Sequence, residues 1–170
     1  IPDPGDLPLG KMGEQPYDLT TWSLPLQMGV AVDAVKEPFE AALEELNAIP
    51  KPEGKIGGEG AAGLLVNAAA NNASTLASRI WKAGGRLSRA EHGSLWVEDG
   101  PSEDLEPWVR ELGLEAHRLD AAPPNIQPYE QPRVALYRPW TASMDEGWTR
   151  WLLEQYEIPY TPVRTQDLQQ

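Results

Sequence analysis

The chain has 170 residues, enough for one domain with a real core, since a chain of this length hides roughly 70% of its unfolded surface. Fourteen basic residues against twenty-six acidic ones give a net charge of -12, which leaves no basic footprint for phosphates and so disfavours nucleic acid and anionic membranes as partners. The absence of Cys excludes disulfides, thiolate metal ligands and Cys nucleophiles, and no apolar run of about 18 residues is present to insert in a bilayer.

Residues 1–16, IPDPGDLPLGKMGEQP, hold four prolines and three glycines and read as an extended linker, because neither a ladder nor a helix survives that density of breakers. The chain starts at Ile1 without a basic-then-apolar leader, as a mature or trimmed product would. Asp18 is placed to cap a short helix disturbed by Pro25, and VAVDAV, 30–35, alternates like a strand. EPFEAALEELNAI, 37–49, puts Phe39, Ala42, Leu43 and Leu46 on one helical face, with Pro38 suited to the first turn, and predicts a helix. PKPEGKIGGEG, 50–60, reads as a flexible loop.

The middle of the chain is the most regular. AAGLLVNAA contains a short buried strand. NNASTLASRIWKAGG reads as a helix with Asn71 or Asn72 as its cap, Ala73, Leu76, Ala77 and Ile80 on its inner stripe, and Gly84–Gly85 as its stop. GRLSRAE and GSLWVE are strands about a short EHG turn, SEDLEPWVRELG is a second helix starting near Pro107 and closed by Gly113, and LEAHRLD is a further strand. The order over 17–120 is β-α-β-β-α-β, an α/β layer of helices on one sheet face. A second Pro-rich connection, AAPPNIQPYEQP, fills 121–132. Residues 133–170 follow as a βαβ unit: RVALY as a buried strand, a helix, then PYTPV, the beginning of a doubly wound sheet that is incomplete with two strands.

The helix of that unit lies in RPWTASMDEGWTRWLLEQY. Ser143 and Glu146 fit a capping box, and Asp145 and Glu146 complement the positive helix end. Two carboxylates in the first turn repel an anion, which argues against a nucleotide phosphate there. Met144, Trp148, Trp151 and Leu152 form a stripe expected to pack on the sheet, and Gly147 is expected at a close approach to a neighbouring backbone. Among the seven Trp residues, Trp81, Trp108, Trp148 and Trp151 sit at helix-face positions that favour burial, while Trp22, Trp96 and Trp140 are less determined.

Chemistry-bearing patterns are sparse. His92 and His117 are the two histidines, and neither has a second ligand at metal-binding spacing, since Asp120 falls on the opposite strand face from His117. No G-x-S-x-G elbow, G-x-G-x-x-G or Walker loop is present, and IGGEGAAG precedes a strand, the wrong side for a phosphate cradle. Topology instead selects the mouths of the two βα turns as ligand positions: Arg138 and Trp140 at one, and Asn67, Asn71 and Asn72 at the other.

Three runs, YDLTTWSLPLQMGV, NNASTLASRIWKAGGRLSRA and RVALYRPWTASMDEGWTRWLLEQYEIPYTPV, occur in that order. Together they resemble the region after the catalytic domain of large bacterial zinc carboxypeptidases of the carboxypeptidase A class, a region similar to class I glutamine amidotransferases. The resemblance spans most of Tyr17 to Leu168, and its most specific element is SMDEGWTRWLLEQY. It implies an amidotransferase-like sheet begun by 133–170. It also implies that this chain is the front part of an accessory domain, non-catalytic itself, beside a peptidase that removes C-terminal residues. The H-x-x-E zinc signature of the peptidase and the Cys nucleophile of the amidotransferases have no counterpart here, so no catalytic residue and no metal ligand carries over. Zinc is expected only in an upstream peptidase domain. That domain, or the remainder of the same protein, is the expected partner, with self-association the other option, and a secreted or periplasmic setting follows from the resemblance. A ligand-binding module that holds a sugar or peptide through exposed Trp and Arg is the alternative reading. An independent hydrolase is the weakest of the three, for want of a nucleophile or metal set.

Overall fold

The computed structural model describes residues 31–99 and 103–168. The chain divides into two units, Ile1–Asn47 and Ala48–Gln170. The linker over 1–16, the helix expected after Asp18 and Trp22 lie outside the described residues. Residues 31–50 form neither helix nor strand, so the strand expected over 30–35 is absent from its described part and the helix expected over 37–49 is not formed. The pattern was amphipathic, but a lone helix of that length is marginal in water and is stabilised mainly by burying its apolar face. Here Phe39, Leu43 and Leu46 are exposed, and Leu43 is 84% so.

In the second unit the elements run β1 (Lys55–Gly57), β2 (Gly63–Val66), α1 (Asn72–Lys82), β3 (Arg86–Arg89), a 3-10 turn (Glu91–Gly93) and β4 (Leu95–Asp99). Then come α2 (Leu105–Glu111), β5 (Glu115–Leu119), β6 (Gln127–Pro128), β7 (Val134–Tyr137), α3 (Met144–Gln155) and β8 (Tyr160–Val163). The protein is therefore mixed α/β. Among the described residues there are three α-helices, a six-stranded sheet in the order β1-β5-β2-β4-β3-β6, and a two-stranded sheet of β7 and β8. In the larger sheet β1 and β5 run parallel and the other pairs antiparallel.

Register explains the core. Leu64 pairs with Val97 and Leu87 with Val97, so these side chains share one sheet face, joined by Val66, Leu95 and Ala116. Onto that face α1 lays the stripe its sequence announced, Ala73, Leu76, Ala77 and Ile80, and α2 adds Val109. Leu76 and Ile80 are fully buried. Trp96 alternates to the other face of β4, opposite Leu65 and Ser88, and is 1% exposed. Trp81 packs edge-on to Tyr129 with ring centroids 5.0 Å apart, and its indole N–H donates to the Tyr129 carbonyl at 3.1 Å. Arg89 lies 4.1 Å above the same Tyr129 ring. This anchors the Pro-rich connection on α1 and β3, and β6 pairs with β3 there.

The glycine-rich stretch 50–60 is irregular over most of its length, as a loop would be, but Lys55–Gly57 forms β1 and Gly54 and Gly60 are buried, so it is not free. A Cβ at Gly54 would overlap the Val109 carbonyl oxygen of α2, and one at Gly63 would come within 2.6 Å of the Trp96 ring. Those glycines let β1 and β2 approach a helix backbone and an indole. The capping residue of α1 is one of the two expected, but its side chain does not act as a cap. Asn71 occupies the N-cap position without a side-chain cap hydrogen bond, and Asn72 Nδ2 donates instead to the Leu112 carbonyl at 2.8 Å. Helix α2 starts at Leu105, two residues before Pro107, which its first turn accommodates.

Arg79 of α1 connects the two sheets. Its guanidinium donates to Glu111 at the end of α2 (Nη1–Oε2 2.8 Å) and to Glu157 after α3 (Nη2–Oε1 2.8 Å). These two carboxylates raise the Arg79 pKa, and the Arg79 hydrogen bond holds the Glu111 carboxyl below its ordinary value.

Candidate functional site

In the β7-α3-β8 unit no residue from Arg133 to Val163 is fully buried. Its strands pair in parallel, Val134 with Tyr160 through Tyr137 with Val163. Ser143 caps α3 as the sequence predicts, its hydroxyl accepting from the Glu146 N–H at 3.3 Å. The reciprocal half of the capping box is not made, because the Glu146 carboxylate is taken by Arg150 one turn on. Tyr160 of β8 donates its hydroxyl to Glu154 at 2.8 Å, and that acceptor pushes the phenol pKa up, keeping it protonated.

The half-buried positions of α3 and its two caps are Ser143, Glu146, Arg150, Leu153 and Tyr156, whose 3-4 spacing defines one face. Met144, Trp148, Trp151 and Leu152 lie elsewhere on the helix. The expectation that this stripe packs on the sheet is corrected: Trp148 is 65% exposed and Trp151 49%, and the two rings meet edge to face with centroids 5.9 Å apart. The physical reason is that the strands present to α3 a narrow surface, and the Glu146–Arg150 pair and Leu153 occupy it. Gly147 does not sit at a close approach, since a Cβ there meets nothing within 4 Å. Strand β7 is half-exposed rather than buried: Ala135 and Tyr137 point to an open sheet face.

At the carboxyl ends of β7 and β8 lies a cleft of about 340 Å³ lined by Arg138, Pro139, Trp140, Arg164, Thr165 and Gln166. The two strand ends are locked together, Arg138 N–H donating to the Val163 carbonyl at 2.7 Å, so Arg138 and Arg164 are neighbours across the ladder. The Tyr137 hydroxyl and Thr165 Oγ1 are 2.9 Å apart and hold the loop after β8. The Asp167 carboxylate accepts the Arg164 backbone N–H at 2.7 Å, tightening the turn. Trp140 is 93% exposed. Topology selects Arg138 and Trp140, and the structure brings them together with Arg164, which the topological rule alone does not single out. The signal was available, for an Arg follows the last strand residue in both YR and VR, and parallel pairing sets such residues side by side. A larger cleft of about 540 Å³ lies by Val134 and Tyr160 at the amino ends of the same strands, the end where open α/β sheets do not place ligands.

The asparagines do not join this cleft. Asn67 Oδ1 accepts the Ala69 N–H at 2.9 Å in a turn, Asn72 ties α1 to α2, and Asn71 stands exposed at the start of α1. His92 adopts a left-handed conformation (φ 57°) in the 3-10 turn, and His117 is exposed on β5. Among the described residues no group of three His, Asp or Glu side chains is gathered as a metal would require, and no helix is long and apolar enough to cross a membrane. Comparison with protein-family models, with curated proteins and with solved structures gave no match.

Proposed function

We propose that this chain is a non-catalytic accessory unit of a zinc carboxypeptidase-like protein, in which β7-α3-β8 begins an amidotransferase-like sheet that packs on the peptidase domain. The observation that carries the packing role is the uncovered apolar face of α3. Parallel sheets are normally covered on both faces, yet here Ala135, Tyr137 and Thr161 are open on one side, and two indoles stand out on the other. A Trp side chain offers up to about 250 Å², so exposures of 65% and 49% leave about 160 and 120 Å². Covering both is worth about 7 kcal/mol at about 25 cal/mol/Å², before the costs of association. Exposed apolar patches of this kind mark interaction surfaces. The peptidase parentage is supported by the three sequence runs that carry the likeness.

Two experiments test the proposal. The natural reading frame is expected to encode an H-x-x-E zinc signature before Ile1; a frame without one refutes the parentage. In the whole protein, Trp148→Glu with Trp151→Glu is expected to detach this unit, seen as faster limited proteolysis around 121–132. Unchanged proteolysis would refute docking through α3. Dimerisation of the isolated chain, abolished by the same two changes, would put a second copy in the peptidase domain's place.

A further inference from the structure

From the cleft at the carboxyl ends of β7 and β8 we infer a binding site for a carboxylate with an apolar or aromatic tail, held by Arg138 and Arg164 and covered by Trp140. The inference goes beyond the docking role and stands on different residues. Two guanidinium-bearing residues occupy equivalent positions at the ends of hydrogen-bonded strands, and both line one cleft. Neither side chain makes an ion pair or hydrogen bond with a described residue, although acids outnumber bases almost twofold in the chain. By contrast Arg79, Arg118 and Arg150 each hold a carboxylate. Two cationic side chains that line one cleft and have no carboxylate partner among the described residues favour an anion there.

The class of anion follows from the surroundings. Guanidinium matches a planar carboxylate through two parallel N–H···O bonds. The first turn of α3 carries Asp145 and Glu146, and Glu146 borders the same Arg138–Trp140 loop, so a dianionic phosphate meets more repulsion than a singly charged carboxylate. A neutral sugar fits less well, because the lining offers no free carboxylate to accept from its hydroxyls. Trp140, 93% exposed, supplies a flat apolar wall with nothing stacked on it, which suits a hydrophobic side chain next to the carboxylate. The position agrees with the rule that open parallel sheets bind ligands outside their carboxyl ends.

The test is calorimetric titration of the chain with N-acetyl-phenylalanine, its neutral amide and inorganic phosphate. Saturable binding of the acid is expected, with the amide and phosphate at least tenfold weaker. Arg138→Ala and Arg164→Ala are each expected to weaken the acid at least tenfold, with Arg138→Lys recovering only part because it loses the fork. Trp140→Ala should weaken N-acetyl-phenylalanine but leave acetate unchanged. Comparing the peptide acetyl-Ala-Ala-Phe with free benzoate separates the sources: a tighter peptide marks a chain terminus as ligand, equal affinity a small free acid. No saturation by either acid at millimolar concentration, equal binding of acid and amide, or full binding by the Arg variants would overturn the assignment. Both arginines are exposed, so circular dichroism of the variants is expected to match the parent, and a variant that has unfolded is replaced by its Lys counterpart.

Discussion

Replacing Gly147 by Ala should strengthen α3. Gly147 is the fourth residue of a twelve-residue helix, and its N–H already donates to the Ser143 carbonyl at 3.2 Å, so the backbone is helical and not part of the cap. Its φ is not positive, and an added Cβ meets no atom within 4 Å, so neither strain nor a clash opposes the change. What remains is the intrinsic preference, about 0.5–1 kcal/mol in favour of Ala, because Gly loses more backbone freedom on ordering. Divided by RT, that stabilisation corresponds to roughly two- to fivefold slower amide exchange in α3. Hydrogen exchange followed at Arg150 to Leu153 reads the effect locally, independently of whether the two sheets unfold together. Unchanged or faster exchange would refute the reasoning, since it would mean that the glycine hydrogens are in contact with something in solution. The experiment also bears on docking. If a partner helix crosses α3 at Gly147, Ala should slow exchange in the isolated chain yet loosen the whole protein.

Other expectations follow from the same structure. Leu76→Ala empties a fully buried site between α1 and the sheet and should cost about 2–5 kcal/mol by urea denaturation. Ser143→Ala removes the hydroxyl that accepts the Glu146 N–H, and α3 should lose about 0.5–1 kcal/mol, read by exchange of its first-turn amides. The Arg79–Glu111 bond makes stability depend on acid. A carboxyl whose folded pKa is depressed contributes fully above its unfolded value, about 4.3, and its contribution is lost as pH falls through the lower folded value. The melting temperature of the parent should therefore fall more steeply below about pH 4.3 than that of Arg79→Met. Equal slopes would show that the pairing is not maintained in solution.

The local rules of the sequence determined much of the second unit. The α1 stripe of Ala73, Leu76, Ala77 and Ile80, its glycine stop, the strands around the EHG turn and the Ser143 cap were all legible, because each depends on residues within one or two turns of one another. The parallel βαβ was legible too, since alternation of strand and helix patterns admits few topologies. What the tertiary structure alone decided was where apolar faces find cover. The pattern over 37–49 and the Trp stripe of α3 looked as buried as α1, yet they are exposed, because amphipathicity states that a face needs a partner without supplying one. The same holds for the glycines of 50–60, which read as a loop until β1 was seen against the α2 backbone. Arg138 and Arg164 became neighbours only when β7 and β8 paired, for hydrogen bonding between distant segments sets a register that no short stretch of sequence contains.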